Sequence, residues 1–138
     1  MIIFLVAYVS FFENKASIVS PLLSQTFTEK LKSKFISETN LSIQEEEGDF
    51  EFSGYISEYV VEPVSARNSE DAQLNRLRIS IQAVLHCEKS PELDFDQVFT
   101  NFQDFDAGTN FSNIESQLID EITDMLVQQI FNKAAINW

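Results

Sequence analysis

His86 and Cys87 stand side by side and are the only histidine and the only cysteine in 138 residues. An imidazole next to a thiol is the pair that would activate a thiolate nucleophile. The run that carries them alternates, with Leu77, Ile79, Ile81, Ala83 and Leu85 on one side and Arg78, Ser80, Gln82 and His86 on the other. Successive side chains of a strand point to opposite faces, so His86 and Cys87 diverge. The expected reading is an exposed strand histidine beside a small buried thiol, not a dyad. Val84-Leu85-His86-Cys87 loosely resembles the cleavage site before a lipid-bearing cysteine, but a lipidated cysteine opens the mature chain and this one lies deep within it. Zinc fails on ligand count. Asp104 to Asn110 resembles the opening of a calcium loop, yet Gly108 takes the place of its fifth-position oxygen ligand, so an Asp- and Gly-rich turn is expected. Gly48, Gly54 and Gly108 are too scattered to cradle a phosphate. No catalytic constellation, metal site or cofactor site is expected.

The rarer charge is more informative. Acidic side chains outnumber basic ones 22 to 9, for a formal net charge of -13. Such a surface repels a nucleic-acid backbone, which needs Lys and Arg to displace its counterions. Three of the nine basic residues, Arg67, Arg76 and Arg78, belong to one loop and the strand it enters. Guanidinium forks match phosphate geometry, so this end of the molecule could meet an anionic headgroup or an acidic patch. The competing reading is that the arginines balance Glu62, Glu70 and Asp71 on an ordinary surface.

The elements that position these residues follow from periodicity. At this length one domain, residues 1–138, is expected, burying about 68% of the unfolded chain's surface. Ile2 to Phe12 is apolar, far below the roughly 20 residues of a bilayer span, and reads as a buried strand. Its start at a bare Met, already inside that strand, predicts natural sequence upstream. Ser20-Pro21 opens a helix whose stripe, Leu23, Phe27, Leu31 and Phe35, runs to about Glu38. After the acidic turn at 45–49, Phe50, Phe52, Gly54 and Ile56 alternate with polar residues up to about Pro63, and Ser65 to Asn75 forms a long loop before the second alternating strand. Phe95 to Phe102 supplies a third, with Val98 beside Phe99 suggesting a bulge. Ser112-Asn113-Ile114-Glu115 is a capping box sequence, opening a helix from Ser112 to about Ala134.

The fold class is therefore α+β: a two-layer sandwich in β-α-β-β-β-α order, with a four-stranded mixed sheet and two helices on one face. The other face then carries the alternate side chains. Among these Tyr55, Tyr59, Val61 and Val84 are expected to meet a partly polar partner.

From about Ala7 to Trp138 the sequence resembles the LptE family, the lipopolysaccharide-assembly outer-membrane lipoproteins of Gram-negative bacteria. The likeness is carried by Ser24-Gln25-Thr26-Phe27-Thr28-Glu29, Lys34-Phe35 and Thr39-Asn40-Leu41. It continues through Phe52-x-Gly54-x-Ile56 with Tyr59 and Pro63, Asn75-Arg76-Leu77, Phe102-x-x-Phe105-Asp106, and Ile130-Phe131-Asn132-Lys133-Ala134 with Asn137-Trp138. Each is short, and their order and spacing together are specific.

The resemblance implies a non-catalytic role: a plug inside the large β-barrel LptD that helps the barrel assemble and supports lipopolysaccharide insertion, on the periplasmic side of the outer membrane. Sizes agree. A 138-residue domain is about 37 Å across, and a 26-stranded barrel about 50 Å. Family members begin with a secretion signal and a lipid-anchored cysteine, which the residues from Met1 do not spell. The family's lipopolysaccharide contacts do not map by motif onto Arg67, Arg76 or Arg78. The alternative is a freestanding periplasmic module binding a small anionic or peptide ligand, with the 65–75 loop as its lid.

Overall fold

The computed structural model describes residues 6–15, 21–38, 42–44, 50–64, 73–87 and 91–135. Its elements are β1 (Val6–Val9), β2 (Glu13–Asn14), α1 (Pro21–Glu38), β3 (Ser42–Gln44), β4 (Phe50–Val64), β5 (Leu74–Cys87), β6 (Phe95–Asp106) and α2 (Phe111–Ala135). The expected β-α-β-β-β-α order and mixed sheet are present, with the first strand broken into β1 and β2 and a short β3 added. The sheet runs β3-β1-β4-β5-β6, with β2 also beside β4. The crossover through α1 makes β1 and β2 parallel to β4, and the hairpins make β4, β5 and β6 antiparallel.

One face of the sheet meets both helices. Phe52, Ile56, Leu77, Ile79, Ile81 and Ala83 interdigitate with Leu23, Phe27, Leu31 and Phe35 of α1 and with Ile122, Leu126 and Ile130 of α2, all fully buried. These are the stripes that the 3.6 and 2.0 periods mark out. Phe35 packs on Phe52 at 4.6 Å and on Phe131 at 5.3 Å, which joins β4 to both helices through one ring.

The break between β1 and β2 has a local cause. Val9 pairs with Phe52 and Glu13 with Tyr55, so three residues on one strand oppose two on the other. The extra residue lets Phe12 fold over Gly54, its ring edge-on to Phe27 at 4.9 Å and its N–H donating to Thr28 Oγ1 of α1. Gly54 has φ +144°, and a Cβ there would lie 1.9 Å from the Gln82 carbonyl oxygen and 3.0 Å from the Phe12 ring. Only glycine fits this crossing.

Three local expectations are corrected. No bulge interrupts β6, whose pairing with β5 runs unbroken from Leu85–Phe95 to Leu74–Asp106, past Phe102. The bulge lies in β4 instead, where Ile56 pairs with Ile81 and Glu58 with Ser80, leaving Ser57 as the extra residue. The Ser112 capping box does not form. α2 begins one residue earlier, and Asn110 is its cap, accepting from the Ser112 N–H at 3.2 Å and from the Ser112 hydroxyl at 2.8 Å. Phe111 then packs on Phe105 at 5.5 Å, an anchor that fixes the earlier start.

Candidate interaction surface

The second face of the sheet carries no helix among the described residues. Its composition follows from register, because paired residues share a face. On β5 it shows Arg76, Arg78, Ser80, Gln82, Val84 and His86, the alternates of the buried set. Opposite them on β6 stand Asp104, Phe102, Thr100, Val98 and Asp96, and on β4 Glu62, Val60, Glu58, Tyr55, Ser53 and Glu51.

Tyr55 and Val84 are on this face as expected. Tyr59 and Val61 are not. Residue Ser57 shifts the parity of the strand, so Tyr59 pairs with Ile79 and Val61 with Leu77, both core-facing positions. Tyr59 is buried, and its hydroxyl donates to the carboxylate of Glu115, the fifth residue of α2. Burial, and then that hydrogen bond, push its pKa far above the ordinary tyrosine range. Val61 shares the helix side but is exposed near the strand's end. Val60 takes the outward place expected of Val61. The signal was present in the sequence: the alternation that makes Phe50, Phe52, Gly54 and Ile56 inward requires an inward residue 58, and Glu58 breaks it.

The open face is tied across its strands by polar pairs. Arg78 donates to Glu58 at 2.7 Å and to Glu62 at 3.2 Å. Arg76 grips Asp104 with two hydrogen bonds, at 2.7 and 3.2 Å, and its guanidinium lies 3.8 Å over the centre of the Phe102 ring. These hydrogen bonds, to Asp104 for Arg76 and to Glu58 then Glu62 for Arg78, raise both guanidinium pKa values above their ordinary level. Further along, Ser80 meets Thr100 at 2.8 Å and Gln82 donates to Asp96. Lys15 sits 4.7 Å over the Tyr55 ring. Val98 and Phe102 project from among these pairs and remain nearly half exposed. Of the three arginines singled out, Arg76 and Arg78 come together on adjacent alternate positions, and Arg67 lies outside the described residues.

The chemistry-bearing residues stay apart. His86 is exposed and contacts Asp94 Oδ2 at 3.1 Å, while Cys87 is buried and its backbone N–H donates to the other oxygen of Asp94 at 2.5 Å. The His86 imidazole and the Cys87 backbone N–H share one carboxylate at the turn, while the two side chains lie on opposite faces of the strand. In the Asp104–Asn110 run, Asp104 is held by Arg76 and Asp106 closes its own turn on the Gly108 N–H at 2.7 Å. Glu115, the twelfth residue counted from Asp104, is taken by Tyr59. Among the described residues no group of three or more His, Cys, Asp or Glu is arranged to hold a metal ion. A cleft of about 540 Å³ opens between α1 and α2, but Lys30, Lys34, Glu29 and Asp124 line it, and it is not a deep apolar pocket.

Among the described residues the second sheet face is therefore a mostly polar surface with no helix packed on it. Comparison with solved structures finds the same fold in distant sequences. A minor lipoprotein from Acinetobacter baumannii is 13% identical with a TM-score of 0.65, covering 97% of this chain and 94% of its own. A hypothetical protein from Chlamydia trachomatis is 9% identical with a TM-score of 0.61, covering 98% and 100%. A protein from Xanthomonas campestris is 12% identical with a TM-score of 0.57, covering 98% and 88%. Comparison with curated proteins finds no match. Residues 6–134, nearly all of the described chain, match the family LptE, described as lipopolysaccharide-assembly, and the protein belongs to that family.

Proposed function

We propose that this protein is a non-catalytic component of lipopolysaccharide transport to the outer membrane, seated as a plug and assembly factor in the lumen of an LptD-like β-barrel. It acts on the periplasmic side, held to the membrane by an N-terminal lipid anchor of the kind its family carries. The observation that carries this reading is the face of β4, β5 and β6 that no helix covers among the described residues, where polar pairs surround the half-exposed Val98 and Phe102. Polar pairs crossing three strands offer a surface that a polar, water-lined barrel wall would match.

The reading is tested by extracting outer membranes in mild detergent and purifying the tagged protein. A barrel recovered at one-to-one stoichiometry supports it. Recovery of the protein alone, from membranes that contain the barrel, overturns it.

A further inference from the structure

We infer that the open sheet face docks against a basic protein wall, one lined by Lys and Arg, and is not a site for the phosphates of a lipid; this rests on the plug reading above. The described positions of that face on β4, β5 and β6 carry six carboxylates, Glu51, Glu58, Glu62, Asp96, Asp104 and Asp106, against two guanidinium groups, Arg76 and Arg78. Four negative charges are left over. Lys15 over the Tyr55 ring is offset by Glu13, which pairs with Tyr55. The two guanidinium groups are also engaged: Arg78 is shared between Glu58 and Glu62, and Arg76 is held by both oxygens of Asp104 with its flat side against Phe102. A phosphate approaching them would have to displace a bidentate carboxylate while crossing a field of its own sign.

Charge also separates the remaining occupants. A second copy would bring the same excess of carboxylates to the contact, on a chain whose formal charge is -13, so a face-to-face dimer is repelled. A neutral apolar partner would strand the carboxylates of Glu51 and Asp96 without water or a counter-charge. A wall presenting Lys and Arg removes that cost, and Val98 and Phe102 supply apolar contact among the charges.

The test uses the full-length protein and the co-expressed barrel, with binding measured from 0.05 to 0.5 M NaCl. The double variant Glu51→Lys with Asp96→Lys brings the face to neutrality without touching the arginine pairs. Its control, Glu29→Lys with Glu121→Lys, makes the same change of charge on the helices. The open-face variant is expected to bind about tenfold or more weakly at low salt and with a flatter salt dependence, while the control binds as the parent does. Equal binding by parent and open-face variant overturns the assignment of this face and leaves the plug reading standing. Failure of the parent to hold the barrel at any salt overturns both. Thermal melts check folding, and Glu51→Gln with Asp96→Asn replaces the variant should the lysines unfold it. Vesicles of phosphatidylcholine with and without lipopolysaccharide form the last arm: binding by the parent that is lost in Arg76→Glu with Arg78→Glu makes the face a phosphate site and overturns the inference.

Discussion

The hydroxyl of Tyr59 donates to the carboxylate of Glu115, joining β4 just past its bulge to the N-terminal part of α2. The phenol is otherwise surrounded by the core, so its proton is held by burial first and by Glu115 second. An unfolded tyrosine ionises near pH 10. Because the folded value is raised, this residue's contribution is complete below about pH 10 and is lost as pH climbs above it toward the folded value. Wild type should therefore lose stability between pH 9 and 11 more steeply than Tyr59→Phe, as read by urea unfolding. At pH 8 the same variant should be less stable by about 1 kcal/mol, the usual net value of a hydrogen bond. Parallel pH profiles for the two proteins would contradict this account.

Gly54 makes a sharper demand. Its φ is positive, and a Cβ added there would come within 1.9 Å of the Gln82 carbonyl oxygen, so any side chain must push β5 or the Phe12 ring aside. Gly54→Ala should destabilise by about 2–4 kcal/mol, combining strain at a positive φ with overpacking. Gly108→Ala is the comparison, since its Cβ would meet only the Asp106 carboxylate at 3.2 Å. Melting temperatures that fall equally for both would show that the crossing over Gly54 is not tight.

The inner half of the molecule is legible in the sequence because it is periodic. Leu23, Phe27, Leu31 and Phe35 on α1, and Leu77 through Leu85 on β5, repeat at the spacing of their elements and lie where that spacing puts them. The outer face is legible only up to the first irregularity. Tyr55 and Val84 lie where alternation puts them, but a single inserted residue, Ser57, inverts everything after it, and Tyr59 and Val61 turn to the helix side. Glu58 marks the break in the alternation of β4, but that Ser57 is the residue left over is decided by the pairing with β5, which the strand's own sequence does not contain. The roles of Arg76 and Arg78 are hidden for the same reason. Their partners Asp104, Glu58 and Glu62 are local only in the folded sheet, 28, 20 and 16 residues away in the chain.

Asn110, not Ser112, caps α2, and the two make opposite predictions. Asn110→Ala removes the acceptor for the Ser112 N–H and hydroxyl and should cost about 1 kcal/mol. Ser112→Ala removes a hydroxyl that is a donor to the cap and leaves the backbone bond intact, so its cost should be a few tenths of a kcal/mol. A larger loss for Ser112→Ala in chemical denaturation would restore the capping box.

Lys30 links the two helices on the side away from the sheet. Its ammonium lies 2.6 Å from the Asp120 carboxylate and 2.7 Å from that of Asp124, and it donates to the Asp120 carbonyl oxygen at 2.8 Å. The lysine is mostly buried against α2, whereas both carboxylates are well exposed and screened by water. Most of the Coulomb attraction is therefore lost, and what remains is the geometry of one cation satisfying three acceptors. Lys30→Met keeps the alkyl stem and should destabilise by about 1 kcal/mol at low salt. Because the carboxylates are exposed, raising NaCl to 1 M should shrink the gap between variant and wild type by about half. A gap that is unchanged by salt would assign the loss to the hydrogen bond with the Asp120 carbonyl oxygen and not to the ion pairs with the two carboxylates.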